Sequence, residues 1–123
     1  MTRYRNPLQR LIHATRYSIE GLLYALKNEQ AFQYETIVFV ILCVILLLIN
    51  REITYKFFIA VMWLAVMALE LINSTVEKAF DLIDEHLRPE IKAGKDMLSS
   101  AVFIMICLNI ILWLTEIITA LVS

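Results

Sequence analysis

The sequence predicts an all-α membrane protein with an N-terminal amphipathic surface helix and three transmembrane helices. Two observations support this: 60% of the 123 residues are hydrophobic, and the apolar residues form long runs rather than one face of each element. A soluble domain of this length keeps a polar face on each helix, so the composition excludes an ordinary soluble protein. No repeat, linker or low-complexity segment divides the chain, and we expect one domain over residues 1–123.

The first predicted element is the surface helix, at about residues 7–28. Its apolar residues recur three or four positions apart and so fall on one face of a helix. These residues are Leu8, Leu11, Ile12, Ile19, Leu22, Leu23 and Leu26. Pro7 suits the first turn, where its missing N–H needs no partner. Because the opposite face carries charged and polar groups, we expect this helix to lie in the membrane interface.

Three apolar runs predict transmembrane helices at about 32–50, 55–77 and 97–118. The first run has no ionisable side chain after Glu35. The second run is continuous only to Leu69, so the polar residues that follow must complete the crossing, and its helix is expected to reach about Asp81. The third contains Trp113 near its outer end, where an aromatic side chain can anchor the helix at the interface. Cys43 and Cys107 lie within spans and are interpreted as packing residues, not as a disulfide or metal ligands.

Basic residues predict the orientation in the membrane. Five precede the first span (Arg3, Arg5, Arg10, Arg16 and Lys27), four lie between the second span's polar end and the third span (Lys78, Arg88, Lys92 and Lys95), and two lie between the first and second spans (Arg51 and Lys56). The positive-inside bias places the N-terminus and the 78–95 segment in the cytoplasm. No basic patch with interleaved aromatic residues indicates a nucleic acid partner. Three spans enclose little volume, so we expect a homo-oligomer.

The candidate chemistry lies at the polar end of the second span. Glu70, Asn73, Glu77 and Asp81 are spaced by three and four residues and form one stripe on a helix. Acids at membrane depth face a cavity, pair with a cation or are protonated. A purely structural role stays open, with Asn73 bonding a neighbouring helix and the glutamates pairing with basic residues. Mg²⁺ suits a pair of carboxylates whose remaining ligands are water and phosphate, which points to a nucleotide.

Two further positions fit a nucleotide site. Glu29, at the end of the surface helix, is a second source of carboxylate, although it could also be an ordinary solvated residue. Lys95 and Asp96 open the third span, where a helix N-terminus favours phosphate. The alternative is a helix cap beside a snorkelling lysine. The sequence contains no Gly-rich phosphate loop, so a nucleotide site must be built without one.

Several motifs resemble the small bacterial integral-membrane diacylglycerol kinase family. They are ELINSTVE at 70–77, GKDM at 94–97, NEQAF at 28–32 and RLIHATRYS at 10–18, in the family's order. The resemblance implies transfer of the ATP γ-phosphate to the hydroxyl of diacylglycerol, giving phosphatidic acid. It also implies Mg²⁺ as the accompanying metal, a homotrimer with sites between subunits, and a location in the bacterial cytoplasmic (inner) membrane, with the active site at its cytoplasmic face.

The same resemblance implies a role for each site residue. Glu70 is the expected general base, and Glu29 and Glu77 are the expected metal ligands, also close to ATP. The other expected nucleotide contacts are Asn73, Lys95, Asp96, Arg10 and Tyr17, with His86 and Arg88 in the stretch near the adenine, for which a solvated loop is the favoured interpretation. The expected lipid contacts are Arg10, Ala31, Phe32, Gln33, Tyr34, Glu35, Glu70 and Ser99.

Two departures from the family pattern and two alternative functions stay open. Leu98 stands where the family places a glycine beside the lipid, and the 84–92 segment differs, with Pro89 expected to break or bend a helix. One alternative is an undecaprenol kinase of the same family, which shares the acidic residues of ELINSTVE and the Lys-Asp pair of GKDM. The other is a non-catalytic membrane scaffold or transporter subunit, in which the acidic stripe is an ion path or an assembly contact.

Overall fold

The computed structural model describes residues 6–86 and 88–123, so Arg3 and Arg5 lie outside the described residues. Within those ranges the chain forms four helices and no strand, which confirms the all-α fold class. The helices are α1 (Pro7–Asn28), α2 (Gln30–Leu48), α3 (Ile53–Ile83) and α4 (Pro89–Val122). By length and composition, α2, α3 and α4 are each apolar enough to cross a membrane.

α1 is an amphipathic helix with a capped start. The Asn6 side chain accepts a 3.0 Å hydrogen bond from the Leu8 backbone N–H, and Pro7 occupies the first turn. All seven members of the apolar stripe, from Leu8 to Leu26, are exposed, while Ala25 is buried. An exposed stripe of this kind on a soluble surface would be unfavourable, so α1 is suited to lie on a membrane.

α3 is the central helix, because it packs against both α2 and α4. The buried residues Trp63, Val66 and Val102 form the core between these helices. The Trp63 indole N–H donates a 2.9 Å hydrogen bond to the backbone carbonyl of Glu35 and so joins α3 to α2. The Asn109 amide donates a 3.1 Å bond to the Met62 carbonyl and joins α4 to α3.

The structure corrects the prediction that Lys95 and Asp96 begin the helix of the third span, which is α4. α4 begins at Pro89, six residues before Lys95, and Glu90 lies in its first turn. Proline fits this first position because the N–H that it lacks would have no helical partner there. Lys95 and Asp96 therefore lie in the second turn, where neither can cap the helix and no free backbone N–H groups remain to bind phosphate.

The opposite end of the bundle also has a polar cluster. The Arg51 Nε atom, in the segment between α2 and α3, lies 2.6 Å from Glu116 Oε1 near the end of α4. A cavity of about 380 Å³ adjoins this pair. Trp113 lines the cavity and its Nε1 atom is buried, so the indole N–H is turned into the protein. That Trp113 anchors α4 at the outer interface stays a prediction.

Candidate active site

The polar end of α3 brings Glu70, Asn73 and Glu77 together. The Asn73 amide lies 3.5 Å from both Glu70 Oε1 and Glu77 Oε1, and the Ser74 hydroxyl donates a 3.3 Å hydrogen bond to Glu70 Oε1. Glu70, Asn73 and Ser74 are buried. In the part of the chain that the structure describes, no lysine or arginine forms an ion pair with Glu70. These long bonds orient the buried carboxylate without neutralising it.

Asp81 ends the stripe in a different environment. Its carboxylate lies 2.7 Å from Lys95 Nζ, which ties the C-terminal end of α3 to the N-terminal end of α4. Asp96 is paired with Lys92 within α4, at 2.6 Å. Asp81, Lys92 and Asp96 are exposed, and Lys95 is half-buried. The structure therefore places Lys95 beside Asp81 and Asp96 beside Lys92, so the ionic partner of each is another side chain at this end of the bundle.

Glu29 approaches α3 from the junction of α1 and α2. It has an extended backbone between the two helices, and its carboxylate forms an ion pair with Lys78 of α3. Lys78 also lies over the ring of Tyr24, 5.9 Å from its centre. Because Lys78 directly follows Glu77, the pair brings the Glu29 carboxylate to the turn of α3 that carries Glu77.

The donor set of this site fits a hydrated divalent cation. Among residues 6–86 and 88–123, no three His, Cys, Asp or Glu side chains are close enough to hold a metal by themselves. Glu29 and Glu77 supply two carboxylates from two elements. Two protein carboxylates, with water and phosphate oxygens for the other positions, are what Mg²⁺ commonly takes at nucleotide sites.

A cavity of about 670 Å³ lies between α1 and α3. Its polar wall includes Tyr24, Glu29, Ser74 and Lys78, and the remaining wall is mostly apolar. Because Ser74 donates to Glu70, the cavity ends one hydrogen bond from the buried carboxylate. An apolar cavity with a few convergent polar groups suits an amphiphilic ligand.

The segment predicted to contact the lipid begins α2. Phe32 and Glu35 are buried, and Glu35 Oε2 has no hydrogen-bond partner among the described residues. Gln33 is half-buried and donates a 2.9 Å bond to the Leu26 carbonyl, whereas Ala31 and Tyr34 are exposed. Two of these five residues are thus buried, and the other three are half-buried or exposed.

The remaining predicted contacts lie on the surface of the chain. Arg10, Tyr17 and Ser99 are exposed on the helix surfaces, with the Tyr17 ring 6.3 Å from that of His13. His86 and Arg88 are exposed in the segment between α3 and α4, and both bind the Asp84 carboxylate. The His86 backbone N–H is the main cause that holds the pKa of Asp84 below its usual value, with help from its ring and from Arg88.

Three residues of this region were missed by sequence reasoning. Ser74 lies four residues after Glu70, so helical spacing could have placed its hydroxyl beside that carboxylate. Lys78 was used only to infer orientation, and no sequence signal pairs it with Glu29. Trp63 lies two turns before Glu70 on the same face of α3, but its bond to the Glu35 carbonyl depends on how α2 and α3 meet.

Comparison with known proteins gives a family for the chain. The sequence model of prokaryotic diacylglycerol kinase matches residues 16–117. The diacylglycerol kinase of Haemophilus influenzae is 37% identical over 106 residues, which cover 86% of this chain and 90% of that protein. The Pseudomonas aeruginosa diacylglycerol kinase is 30% identical over 108 residues, 88% of each chain, and that of Escherichia coli K12 is 32% identical over 104 residues, 85% of each.

Proposed function

Because the chain belongs to the prokaryotic diacylglycerol kinase family, we propose that this membrane lipid kinase uses Mg²⁺ and ATP to phosphorylate diacylglycerol to phosphatidic acid. The observation that carries the proposal is the match over residues 16–117, which includes Glu29, Glu70 and Glu77. The relatives above are named for diacylglycerol, which favours this lipid over undecaprenol and an enzyme over a scaffold.

Glu70 is the group best suited to accept the proton of the lipid hydroxyl. Its carboxylate is buried, is oriented by Ser74 and Asn73, and has no cationic partner in the described chain. As the hydroxyl oxygen bonds to the γ-phosphorus, its proton passes to Glu70 and the bond to the bridging oxygen of ADP breaks. A carboxylate in this position acts as a general base.

Glu29 and Glu77 are proposed to hold the magnesium ion that accompanies ATP. The ion would neutralise charge on the phosphates, which is much of what phosphoryl transfer requires. Asn73 contacts both Glu70 and Glu77, so one amide fixes the base relative to the metal ligand. Lys95 is close enough to the end of the stripe to meet phosphate once it leaves Asp81.

The position of the site suits two substrates from different phases. The hydroxyl of a two-tailed lipid stays at the membrane interface, and ATP arrives from water. α1 covers the cavity beside Ser74, and its exposed apolar stripe lies where acyl chains can reach it. We place this end of the bundle on the cytoplasmic side of the bacterial inner membrane, with the N-terminus, because the basic residues gather there.

A homotrimer completes the proposal. In one chain, Arg10, Tyr17 and Ser99 are exposed, whereas Glu70 is buried. The outer faces of α2 and α4 carry many exposed large apolar side chains, which lipid or further copies of the chain can cover. Sites between subunits would bring surface residues of one copy to the acidic stripe of another.

The test is phosphate transfer from γ-labelled ATP in detergent micelles with Mg²⁺, with diacylglycerol and undecaprenol offered side by side. We expect labelled phosphatidic acid from the wild-type chain and almost none from Glu77→Gln, which keeps the shape of the side chain but loses its charge. Lys56→Met, at the other end of α3, serves as the control. Label on undecaprenol alone would assign the rival lipid, and no label on either would support the scaffold.

A further inference from the structure

Lys78 stands where the surface helix meets α3, and the function proposed above gives it no role. Its ammonium group pairs with Glu29 and lies over the Tyr24 ring. Both partners belong to the end of α1 and its junction with α2, whereas Lys78 directly follows Glu77 on α3. The Lys78 ammonium group thus contacts one proposed metal ligand, Glu29, and Lys78 is the sequence neighbour of the other, Glu77.

An ammonium group and a divalent cation compete for this carboxylate. Both are attracted by the same oxygens, and the two cations repel each other strongly at contact distance. The Lys78 side chain is 51% exposed and that of Glu29 is 19% exposed, so the ion pair sits at the edge of the cavity and water reaches its cationic end. A pair whose cationic partner is half exposed to water contributes little stability and is readily replaced by a stronger cation.

We propose that Lys78 is a tethered counter-ion that occupies Glu29 until a divalent cation displaces it. The inference rests on the proposed metal role of Glu29 and Glu77. In the resting chain Lys78 offsets the mutual repulsion of the acids that converge on this turn of α3. When the divalent cation binds, with or without nucleotide, the long flexible side chain leaves Glu29 and moves toward the solvent, to which it is already 51% exposed.

This role predicts that Lys78 weakens metal binding. Lys78→Met keeps most of the aliphatic stem but removes the competing charge, so the divalent cation no longer has to displace an ion pair. A merely structural Lys78, which fastens α1 to α3, predicts the opposite: its loss would loosen Glu29 and leave metal binding unchanged or weaker.

The experiment measures Mn²⁺ binding to the full chain in detergent micelles without nucleotide, by the electron paramagnetic resonance signal of free Mn²⁺. We expect the dissociation constant to fall about two- to fivefold in Lys78→Met, the range set by displacing an exposed ion pair. Lys56→Met removes the same charge from the opposite end of α3 and should leave binding unchanged. Glu77→Gln should weaken binding and so shows that the site measured is the proposed one.

Melting temperatures give a second readout. If Lys78 is the resting counter-ion, Mg²⁺ should raise the melting temperature of Lys78→Met more than that of the wild type, relative to the same proteins in chelator. Lys78→Gln repeats the test with a polar side chain, should the methionine variant fold poorly.

The outcomes separate this inference from the function on which it rests. Binding that depends on Glu77 but is equal or weaker in Lys78→Met overturns the counter-ion role alone. If Mn²⁺ binds no variant, the metal role of Glu29 and Glu77 falls and the counter-ion role falls with it. The kinase assignment itself is decided separately, by label transfer to diacylglycerol.

Discussion

Removing Arg51 should destabilise the fold through the Glu116 carboxylate that it leaves behind. The side chains of Arg51 and Glu116 are 34% and 10% exposed, and their atoms approach to 2.6 Å. Breaking a fully buried pair costs about 3–5 kcal/mol, whereas an exposed pair is worth about 0–1 kcal/mol. Because one partner is shielded and the other is one-third exposed, we expect Arg51→Met to cost about 2 kcal/mol, between those limits.

A double-mutant cycle isolates the interaction energy between Arg51 and Glu116. In Arg51→Met/Glu116→Leu no unpaired charge remains, so most of the loss should be recovered, with a coupling of at least about 1 kcal/mol. Arg16→Met is the control, because its pair with Glu20 joins two exposed side chains on one helix and should matter by less than about 0.5 kcal/mol. Unfolding is followed by circular dichroism as sodium dodecyl sulfate is added to mild detergent micelles. The reasoning is refuted if the double variant loses as much stability as the two single variants summed.

Three further outcomes are expected. Glu70→Gln should lower kcat about 10²- to 10⁴-fold with an unchanged circular dichroism spectrum, since it removes the proposed general base; near-normal turnover would refute that role. Gly94→Ala should lower the melting temperature, because its Cβ would lie 2.8 Å from Phe80 Cζ, whereas Gly21→Ala meets nothing within 4 Å and should raise it. Trp63→Phe should cost about 0.5–1.5 kcal/mol in the detergent unfolding assay, as one buried hydrogen bond is lost; unchanged stability would contradict it.

The parts of the fold that could be predicted from sequence are those set by one helix at a time. Run length and hydropathy are properties of a single segment, so three helices able to cross a membrane could be predicted without a partner. The spacing of Glu70, Asn73 and Glu77 is likewise fixed by the geometry of one helix, and their side chains meet as the spacing requires.

The contacts that could not be predicted are those between helices. Lys78 reaches Glu29 and Lys95 reaches Asp81 only because of how α3 is rotated against the surface helix and α4, and no local pattern records that rotation. The position of the Trp113 ring could not be predicted either, because an indole group is stable both at a membrane interface and in a protein interior. The predicted start of α4 was wrong for a different reason. Proline breaks a helix in its interior but is a favoured residue at the first position, where Pro89 stands.

The two ends of the bundle use charge in opposite ways. At the end that carries the acidic stripe, Lys78, Lys92 and Lys95 pair with acids, and in each pair at least one partner is exposed. Pairs open to water are weak, so phosphate or a divalent cation can exchange with them at little cost. At the far end, Arg51 and the shielded Glu116 form a pair that nothing in the proposed reaction must break. A kinase that binds a polyphosphate together with a metal ion needs charged side chains that are held in place but can leave their partners for these ligands. The weak ion pairs lie at the end of the bundle that carries Glu70.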